Sequence, residues 1–319
     1  MGVYTYMDTY TFRRIALQLT CAKDCVRFGT LSKSTWDATR DIPIRMVLTR
    51  RVLQKGGRGF CASHHHRIPA LTLTRLETLP IALLLSLTSL VHFSALYCRV
   101  PWPLLQEMQC FTSLTSLTIH HLEPGDDPGL VMPPCPCLKT VALTFSKTWG
   151  LVVLSGLSRC PMLEAVTLRG AATLRVLEWP AASLKYLACH ASHRLMIDAV
   201  PTTLERLDVA VPNDRLPWRL LFPDGCLYPH LRHLTIDTMG LLWPEFIEAM
   251  PNLHILAVHC DSFGMLGSLC RHESLRYLTV DARHSYVIPQ TPEEDVETFK
   301  NRVTLHLTVW NGRPYTFHS

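Results

Sequence analysis

The sequence predicts a solenoid of the α/β class, with parallel strands on a concave face and short helices and loops on a convex face. A Leu-x-x-(Leu/Val)-x-apolar core recurs ten times between Leu87 and Val280, and little else is constant among the copies. Most copies start about 20 to 29 residues after the previous one, which is the period of leucine-rich repeats. The chain has 319 residues, of which 48% are hydrophobic, so it can bury a substantial core. These observations together predict a leucine-rich-repeat array.

Two of the ten copies are too closely spaced to be complete repeats. Leu174 lies 11 residues after Leu163 and 10 residues before Leu184. We therefore expect the copy at Leu174 to contribute a strand joined by a turn, without a helix on its convex side. The copies start at Leu87, Leu114, Leu138, Leu163, Leu174, Leu184, Leu204, Leu231, Leu253 and Leu275.

In four copies a proline stands two residues before the strand-opening leucine. Proline cannot continue a helix, because it lacks an amide hydrogen and its ring clashes with the preceding turn. We interpret each segment as the end of a convex element followed by a turn into the strand. The same device explains Cys135 and Cys137 without a metal, since no second cysteine pair follows at zinc-finger spacing. The segments are Cys135-Pro136-Cys137-Leu138, Cys160-Pro161-Met162-Leu163, Tyr228-Pro229-His230-Leu231 and Met250-Pro251-Asn252-Leu253.

An uncharged stretch from Thr78 to Cys98 has the length of a membrane span. Pro80 stands near its start, polar residues interrupt it, and Leu87 and Leu90 fall on the repeat pattern. We therefore expect a buried helix followed by a repeat strand, and no membrane partner.

Convex helices are predicted at Pro103 to Cys110, Pro244 to Met250 and Met265 to Arg271. Thr291-Pro292-Glu293-Glu294 is typical of a capping box, in which side chains bond the first free amides of a helix. It predicts a helix that reaches about Arg302, then a strand over 303–310 and a turn at 311–312. We expect these elements to close the end of the array, because a terminal repeat must shield its core from water.

Alternation within each strand predicts which side chains a partner could contact. The second and third apolar positions of each copy point inward, so the residues between them face the open side of the sheet. Tyr and Arg are common anchors of protein interfaces, and the late copies are rich in polar and aromatic residues. The alternative, that these are ordinary solvent-facing residues, stays open. The candidate partner-binding residues of the concave face are Tyr186, Arg206, Asp208, His233, Asp237, His259, Tyr277 and Asp281.

Charge separates the start of the chain from the repeats. Residues 1–80 hold 13 Lys and Arg against 5 Asp and Glu, whereas the remainder holds 18 against 21. A basic segment of this kind is most often a solvated helical surface, and we expect no nucleic-acid partner. Twelve cysteines without a secretory leader favour reduced thiols and a cytoplasmic or nuclear location.

The amino-terminal residues predict two or three short helices. Phe12, Ile15, Ala16 and Leu19 recur at helical spacing, and Lys23-Asp24-Cys25, Phe28, Leu31-Ser32-Lys33 and Trp36 follow. The order of these residues resembles a degenerate F-box, and with the repeats the chain resembles the F-box/leucine-rich-repeat family. The alternative is a plain three-helix cap for the repeat stack. The resemblance implies a module over 1–45, a connecting and capping segment over 46–85 and the repeats with their carboxyl-terminal cap over 86–319.

The resemblance implies that the module binds a Skp-type adaptor and its cullin complex. The chain would then be a substrate-recognition subunit of a Skp-cullin-F-box ubiquitin ligase, with an unknown target protein on the concave face. The alternative is an interaction scaffold without a role in ubiquitination. The adaptor contacts implied by the resemblance are Phe12, Ile15, Leu19, Asp24, Phe28 and Leu31.

The sequence does not favour an enzyme. It contains no phosphate-binding loop, nucleophile elbow, zinc-protease helix or kinase motif set. We therefore expect no catalytic residues, no metal and no cofactor.

Overall fold

The computed structural model describes most of the chain after residue 44. The described ranges are 45–52, 68–77, 79, 81–123, 129–146, 150–180, 182–197, 200–214, 221–242, 245–264, 267–287, 293–309 and 313–314. The predicted amino-terminal helices lie outside them. The six implied adaptor contacts, Phe12, Ile15, Leu19, Asp24, Phe28 and Leu31, therefore lie outside them too.

The chain divides into two compact units. Unit 1 comprises Met1–Glu123 and Cys135–Leu138, and unit 2 comprises Pro124–Pro134 and Lys139–Ser319. The predicted domain boundaries at residues 45 and 85 stay predictions.

Unit 1 is built on a parallel ladder of strands. β1, β2, β3 and β5 form the ladder, and β4 pairs with the end of β5. Parallel neighbours require a crossover between them, and short helices lie in these crossovers. The strands are β1 Arg45–Thr49, β2 Ala70–Thr74, β3 His92–Leu96, β4 Val100–Pro101 and β5 Ser116–Glu123. The helices are α1 Arg50–Val52, α2 Ile81–Leu85 and α3 Trp102–Glu107, with a 3-10 helix at Met108–Cys110.

The stretch from residue 78 to 98 contains a helix and then a strand, as predicted, but the prediction that the helix is buried is wrong, because Ile81 and Ala82 are exposed. α2 is followed by β3, whose Phe93 and Ala95 are buried. Among the residues that the structure describes, no helix is long and apolar enough to cross a membrane.

The copy predicted to start at Leu87 starts at Leu90. Phe93 is in register with Leu71 and Leu117, so it occupies the second apolar position of its repeat. Leu87 and Leu90 are both fully buried and three residues apart, so they match the first two positions of the pattern, but the last position of that copy then falls on the exposed His92.

Unit 2 contains the remaining strands. They are β6 Gly129–Val131, β7 Thr140–Phe145, β8 Leu151–Ser155, β9 Ala165–Val176, β10 Tyr186–Ile197, β11 Arg206–Val211, β12 His233–Thr238, β13 Leu241–Leu242, β14 Ile255–Gly264, β15 Tyr277–Val287, β16 Thr304–Val309 and β17 Arg313–Pro314. The helices are α4 Gly267–Arg271 and α5 Glu293–Arg302, with 3-10 helices at Leu157–Arg159 and Glu245–Ala249. The predicted convex helices and carboxyl-terminal helix are thus confirmed within the described ranges.

The described strands of unit 2 form three parallel ladders. The first joins β7, β9, β10, β11, β12, β14, β15 and β16. The second joins the far halves of β9 and β10 to the short strands β8 and β6. The third joins the far halves of β14 and β15 to the short strand β13. The fold is a leucine-rich-repeat array.

The copy predicted at Leu174 is the second half of β9. Leu174 pairs with Val152 and Leu195 in the second ladder. The strand bends at Gly170, where φ is 92°, but it does not end there. The prediction of a turn between two strands is therefore wrong. The pattern counted Leu174, a buried leucine of the second ladder, as the start of a separate repeat. Without Leu174 the spacing from Leu163 to Leu184 is 21 residues, an ordinary repeat.

The proline segments form the turns that the sequence predicts. In each, the amide of the opening leucine donates to the carbonyl three residues earlier, at 3.0 to 3.2 Å. The residue before the proline is buried and the residue after it is exposed. Cys135 thus lies in the core and Cys137 lies in solvent.

The last repeat is covered by α5, which buries Phe299. Arg302 at its end donates from Nη2 to the carbonyls of Cys270 and His272, both at 2.9 Å. β16 follows and adds to β15, and β17 pairs with β16 in the antiparallel sense. The predicted helix and strand at the end of the array are therefore confirmed, and the predicted turn at 311–312 lies outside the described residues.

Candidate functional site

All eight predicted partner-binding residues lie on one side of the first ladder of unit 2, which we call the ladder face. Residues in register form three rows across its strands. Row 1 is Ala165, Tyr186, Arg206, His233, Ile255 and Tyr277. Row 2 is Thr167, Ala188, Asp208, Thr235, Ala257 and Thr279. Row 3 is Arg169, His190, Ala210, Asp237, His259 and Asp281.

The strand core fixes the direction of these side chains. The intervening residues Leu187, Leu207, Leu234, Leu256 and Leu278 are essentially inaccessible to solvent. Successive residues of a strand point to opposite faces, so burial of these leucines turns the rows toward the other face. Parallel register then places residues from different repeats about 4.8 Å apart.

Tyr186, Arg206 and Asp208 form a hydrogen-bonded cluster at one end of this surface. Asp208 is only 8% exposed. Its carboxylate accepts from the Tyr186 hydroxyl at 3.0 Å and from Arg206 Nε at 3.1 Å, and Arg206 Nη2 lies 2.9 Å from Oδ2. Arg206 Cζ also lies 5.4 Å from the centroid of the Tyr186 ring. The buried charge is therefore paired, which offsets the cost of removing it from water.

The cluster shifts the pKa of two of its members. Burial raises the pKa of Tyr186, and the neighbouring Asp208 charge raises it further. The hydrogen bond to Asp208 raises the pKa of Arg206. Tyr186 therefore remains a neutral donor and Arg206 a cation at physiological pH.

The far end of the ladder face is more open. Tyr277 is 53% exposed and stands in register with Ile255. In row 3, His259 Nδ1 lies 3.4 Å from Asp281 Oδ2. This pair is partly exposed, and such pairs contribute little to stability.

His190 lies on β10, four residues beyond Tyr186, and was not among the predicted partner-binding residues. Burial lowers its pKa, and the charge of Arg169 on the neighbouring strand lowers it further. His190 is therefore a neutral hydrogen-bonding group at pH 7. Its alternation in the strand was the signal that could have identified it.

Sequence reasoning also passed over the residue that immediately precedes row 1 in each strand. These residues form a row of their own, which we call the charged row. It consists of Lys139, Glu164, Lys185, Glu205, Arg232, His254 and Arg276. The signal for it is a charged or histidine residue directly after the opening leucine of seven successive repeats.

The described residues offer no metal site. Among them, no group of three or more His, Cys, Asp or Glu side chains is arranged to hold a metal ion. His259, Asp237 and Asp281 lie in one row but on separate strands.

No protein-family model matches the chain, and no curated protein matches it. Among solved structures, it is similar to the leucine-rich-repeat ectodomain of the plant membrane receptor kinase GASSHO1/SCHENGEN3 from Arabidopsis thaliana, determined in complex with CASPARIAN STRIP INTEGRITY FACTOR 2. The two are 12% identical with a TM-score of 0.36 over 83% of this chain. The match covers 38% of the length of that ectodomain chain. The fold is assigned from the strand register and not from this likeness.

Proposed function

We propose that the chain is a non-catalytic protein-binding module whose ladder face holds a partner protein. The observation that carries the proposal is a set of large side chains on one face of the sheet, of which Tyr186, Arg206 and Tyr277 are the most prominent. They lie opposite the row of buried leucines. Tyr and Arg dominate the energetics of protein interfaces, because they combine a large contact area with polar groups.

Pre-organisation supports the same proposal. The contacts to Asp208 fix the side chains of Tyr186 and Arg206 before a partner arrives. Less conformational entropy is then lost on association. The middle row of small residues, such as Thr235 and Ala257, lets a partner approach the sheet closely.

A role as the substrate-recognition subunit of a Skp-cullin-F-box ligase is the second candidate. It rests on the resemblance of residues 7–37 to an F-box. Co-purification of the full chain with a Skp adaptor tests it. A failure to bind would exclude this candidate and leave the first proposal unaffected. A cytoplasmic or nuclear location belongs to the same proposal.

Affinity capture with the full chain tests the proposed function. Proteins captured by the natural chain should be lost when Tyr277→Ala and Asp237→Ala are combined, since both residues lie on the ladder face and neither is buried. Leu227→Ala is the control, because Leu227 is 62% exposed and lies in a loop. Circular dichroism checks the fold of each variant. Capture of the same proteins by the double variant would contradict the proposal.

A further inference from the structure

The charged row follows the starts of successive strands. The amide of each member from Glu164 onward donates to the carbonyl of the member before it, at 2.8 to 2.9 Å. Adjacent members of the charged row therefore lie on hydrogen-bonded neighbouring strands, which are about 4.8 Å apart.

The first four members alternate in sign and neutralise one another. Lys139 Nζ lies 3.8 Å from Glu164 Oε1, and Lys185 Nζ lies 3.8 Å from Glu205 Oε1. Opposite charges on adjacent strands stabilise a sheet. The fold alone accounts for this half of the row.

The last three members are Arg232, which continues the alternation after Glu205, and His254 and Arg276, which do not. All three are exposed, and in the part of the chain that the structure describes none lies within 4.0 Å of a carboxylate oxygen. Arg232 and Arg276 lie on either side of His254, and among the described residues neither has the carboxylate partner that Lys139 and Lys185 have. An anionic ligand would supply such partners.

Two of the three side chains are held in place. Arg276 Nη1 donates to the backbone carbonyls of Glu273 and Leu275, and the second of these bonds is 3.0 Å long. His254 Nδ1 lies 2.6 Å from the carbonyl oxygen of Asn252. In the part of the chain that the structure describes, the remaining donors of the Arg276 guanidinium are open to a ligand.

An apolar anchor lies directly beside these three residues. Row 1 continues each of the three strands by one residue, with His233, Ile255 and the half-exposed Tyr277. An exposed tyrosine next to an arginine is a typical centre of a protein interface.

The other end of the same strands carries the opposite charge. Asp237 and Asp281 lie five residues beyond Arg232 and Arg276, or roughly 17 Å along the strand. A nucleic acid spread over the ladder face would meet these carboxylates. The arrangement therefore fits a ligand with a few localised acidic groups better than a polyphosphate.

We infer that Arg232, His254, Arg276 and Tyr277 recognise a short acidic peptide segment of the partner protein. Arg232 and Arg276 are two strand spacings apart, roughly 10 Å. A polyproline-II segment repeats every three residues, about 9.3 Å, so acidic side chains at positions i and i+3 face both arginines. This inference rests on the proposed function, because it names the chemistry of the partner of the ladder face.

The test measures fluorescence anisotropy of labelled ten-residue peptides with the full chain. One peptide carries glutamates at i and i+3 with a leucine between them, and its matched form carries glutamines. We expect Arg232→Gln with Arg276→Gln to weaken binding of the glutamate peptide by about tenfold or more, since charge-assisted hydrogen bonds are lost. Lys139→Gln with Lys185→Gln is the control. This control also removes two positive charges, but from the paired half of the row, and peptide affinity should change by less than about twofold.

Three results would overturn the inference. They are equal binding of the glutamate and glutamine peptides, equal loss in both double variants, and preference for a single-stranded RNA oligonucleotide over the glutamate peptide. A phosphoserine form of the peptide separates phosphate from carboxylate as the preferred anion, and preference for either supports an acidic segment. If captured proteins depend on Tyr277 and Asp237 but not on Arg232 and Arg276, the inference fails and the proposed function stands.

Discussion

The hydroxyl of Tyr186 donates a hydrogen bond of 3.0 Å to the carboxylate of Asp208 on the neighbouring strand. This bond links the side chains of two repeats whose strands are already paired by backbone hydrogen bonds.

Tyr186 should titrate above its ordinary pKa of 10.0. Asp208→Asn should move the pKa back toward 10, because it removes the carboxylate charge but leaves the burial. The folded-state pKa exceeds the unfolded value, so the stability from this group is present below about pH 10 and is lost as the pH rises through the folded pKa. Tyrosine ring-carbon NMR measures the titration, with Tyr186→Phe to assign the signal. An unchanged pKa in Asp208→Asn would contradict the geometry.

Arg206→Ala should destabilise unit 2 by about 1 to 3 kcal/mol, because it leaves the nearly buried Asp208 carboxylate short of a charged partner. Adding Asp208→Ala should recover part of the loss. Urea unfolding followed by circular dichroism measures both. His259→Ala is the comparison, and we expect a change below about 0.5 kcal/mol from this partly exposed pair. A double variant less stable than Arg206→Ala alone would argue against the pairing.

Gly170→Ala should be strongly destabilising. Its φ is 92°, and a Cβ there would lie 2.5 Å from the carbonyl oxygen of Phe145. Gly225 has a φ of 81° with nothing within 4 Å of a Cβ, and Gly150 has open space and no positive φ. We expect alanine to lower the free energy of unfolding by more than about 2 kcal/mol at Gly170, by about 1 kcal/mol at Gly225 and by less than about 0.5 kcal/mol at Gly150. Thermal unfolding gives the order, and a Gly225 cost equal to that of Gly170 would exclude the clash.

Arg302→Gln should loosen the last repeat, because the bonds from Nη2 to Cys270 and His272 are lost. We expect faster hydrogen exchange in β15 and β16 and a loss of about 1 to 3 kcal/mol. Lys300→Gln on the same helix is the control, since that side chain is 37% exposed. Equal exchange in the two variants would mean that Arg302 does not secure the cap.

The sequence predicted the strands of unit 2 well because their apolar positions are spaced by backbone geometry. It placed Leu87 and Leu174 wrongly for one physical reason. A buried leucine on a turn or in the second ladder has the same environment as one that opens a strand, and periodicity cannot distinguish them. The strand β2 escaped notice because Ile68, and not leucine, precedes Leu71 and Leu73 in its repeat. In β1 the position in register with Leu71 is Met46, which the pattern does not include.

The candidate site was predictable in position but not in its contacts. Strand alternation placed Tyr186, Arg206 and Asp208 on one face. Their hydrogen bonds depend on the register between two strands, which local sequence does not determine. The charged row was missed because its members precede the alternating positions that the pattern selects.

The four proline turns have a consequence for how the chain tolerates mutation. In each, a buried residue, a proline and an exposed residue follow one another, as in Cys160, Pro161 and Met162. A scan of all substitutions should therefore show that the buried residue before the proline tolerates few changes, whereas the exposed residue after it tolerates most. Cys137, Met162 and His230 are then natural places to attach a dye, a crosslinker or a surface tether without disturbing the strands that follow, whereas Asn252 donates from its side chain to the carbonyl of Pro229 at 2.8 Å.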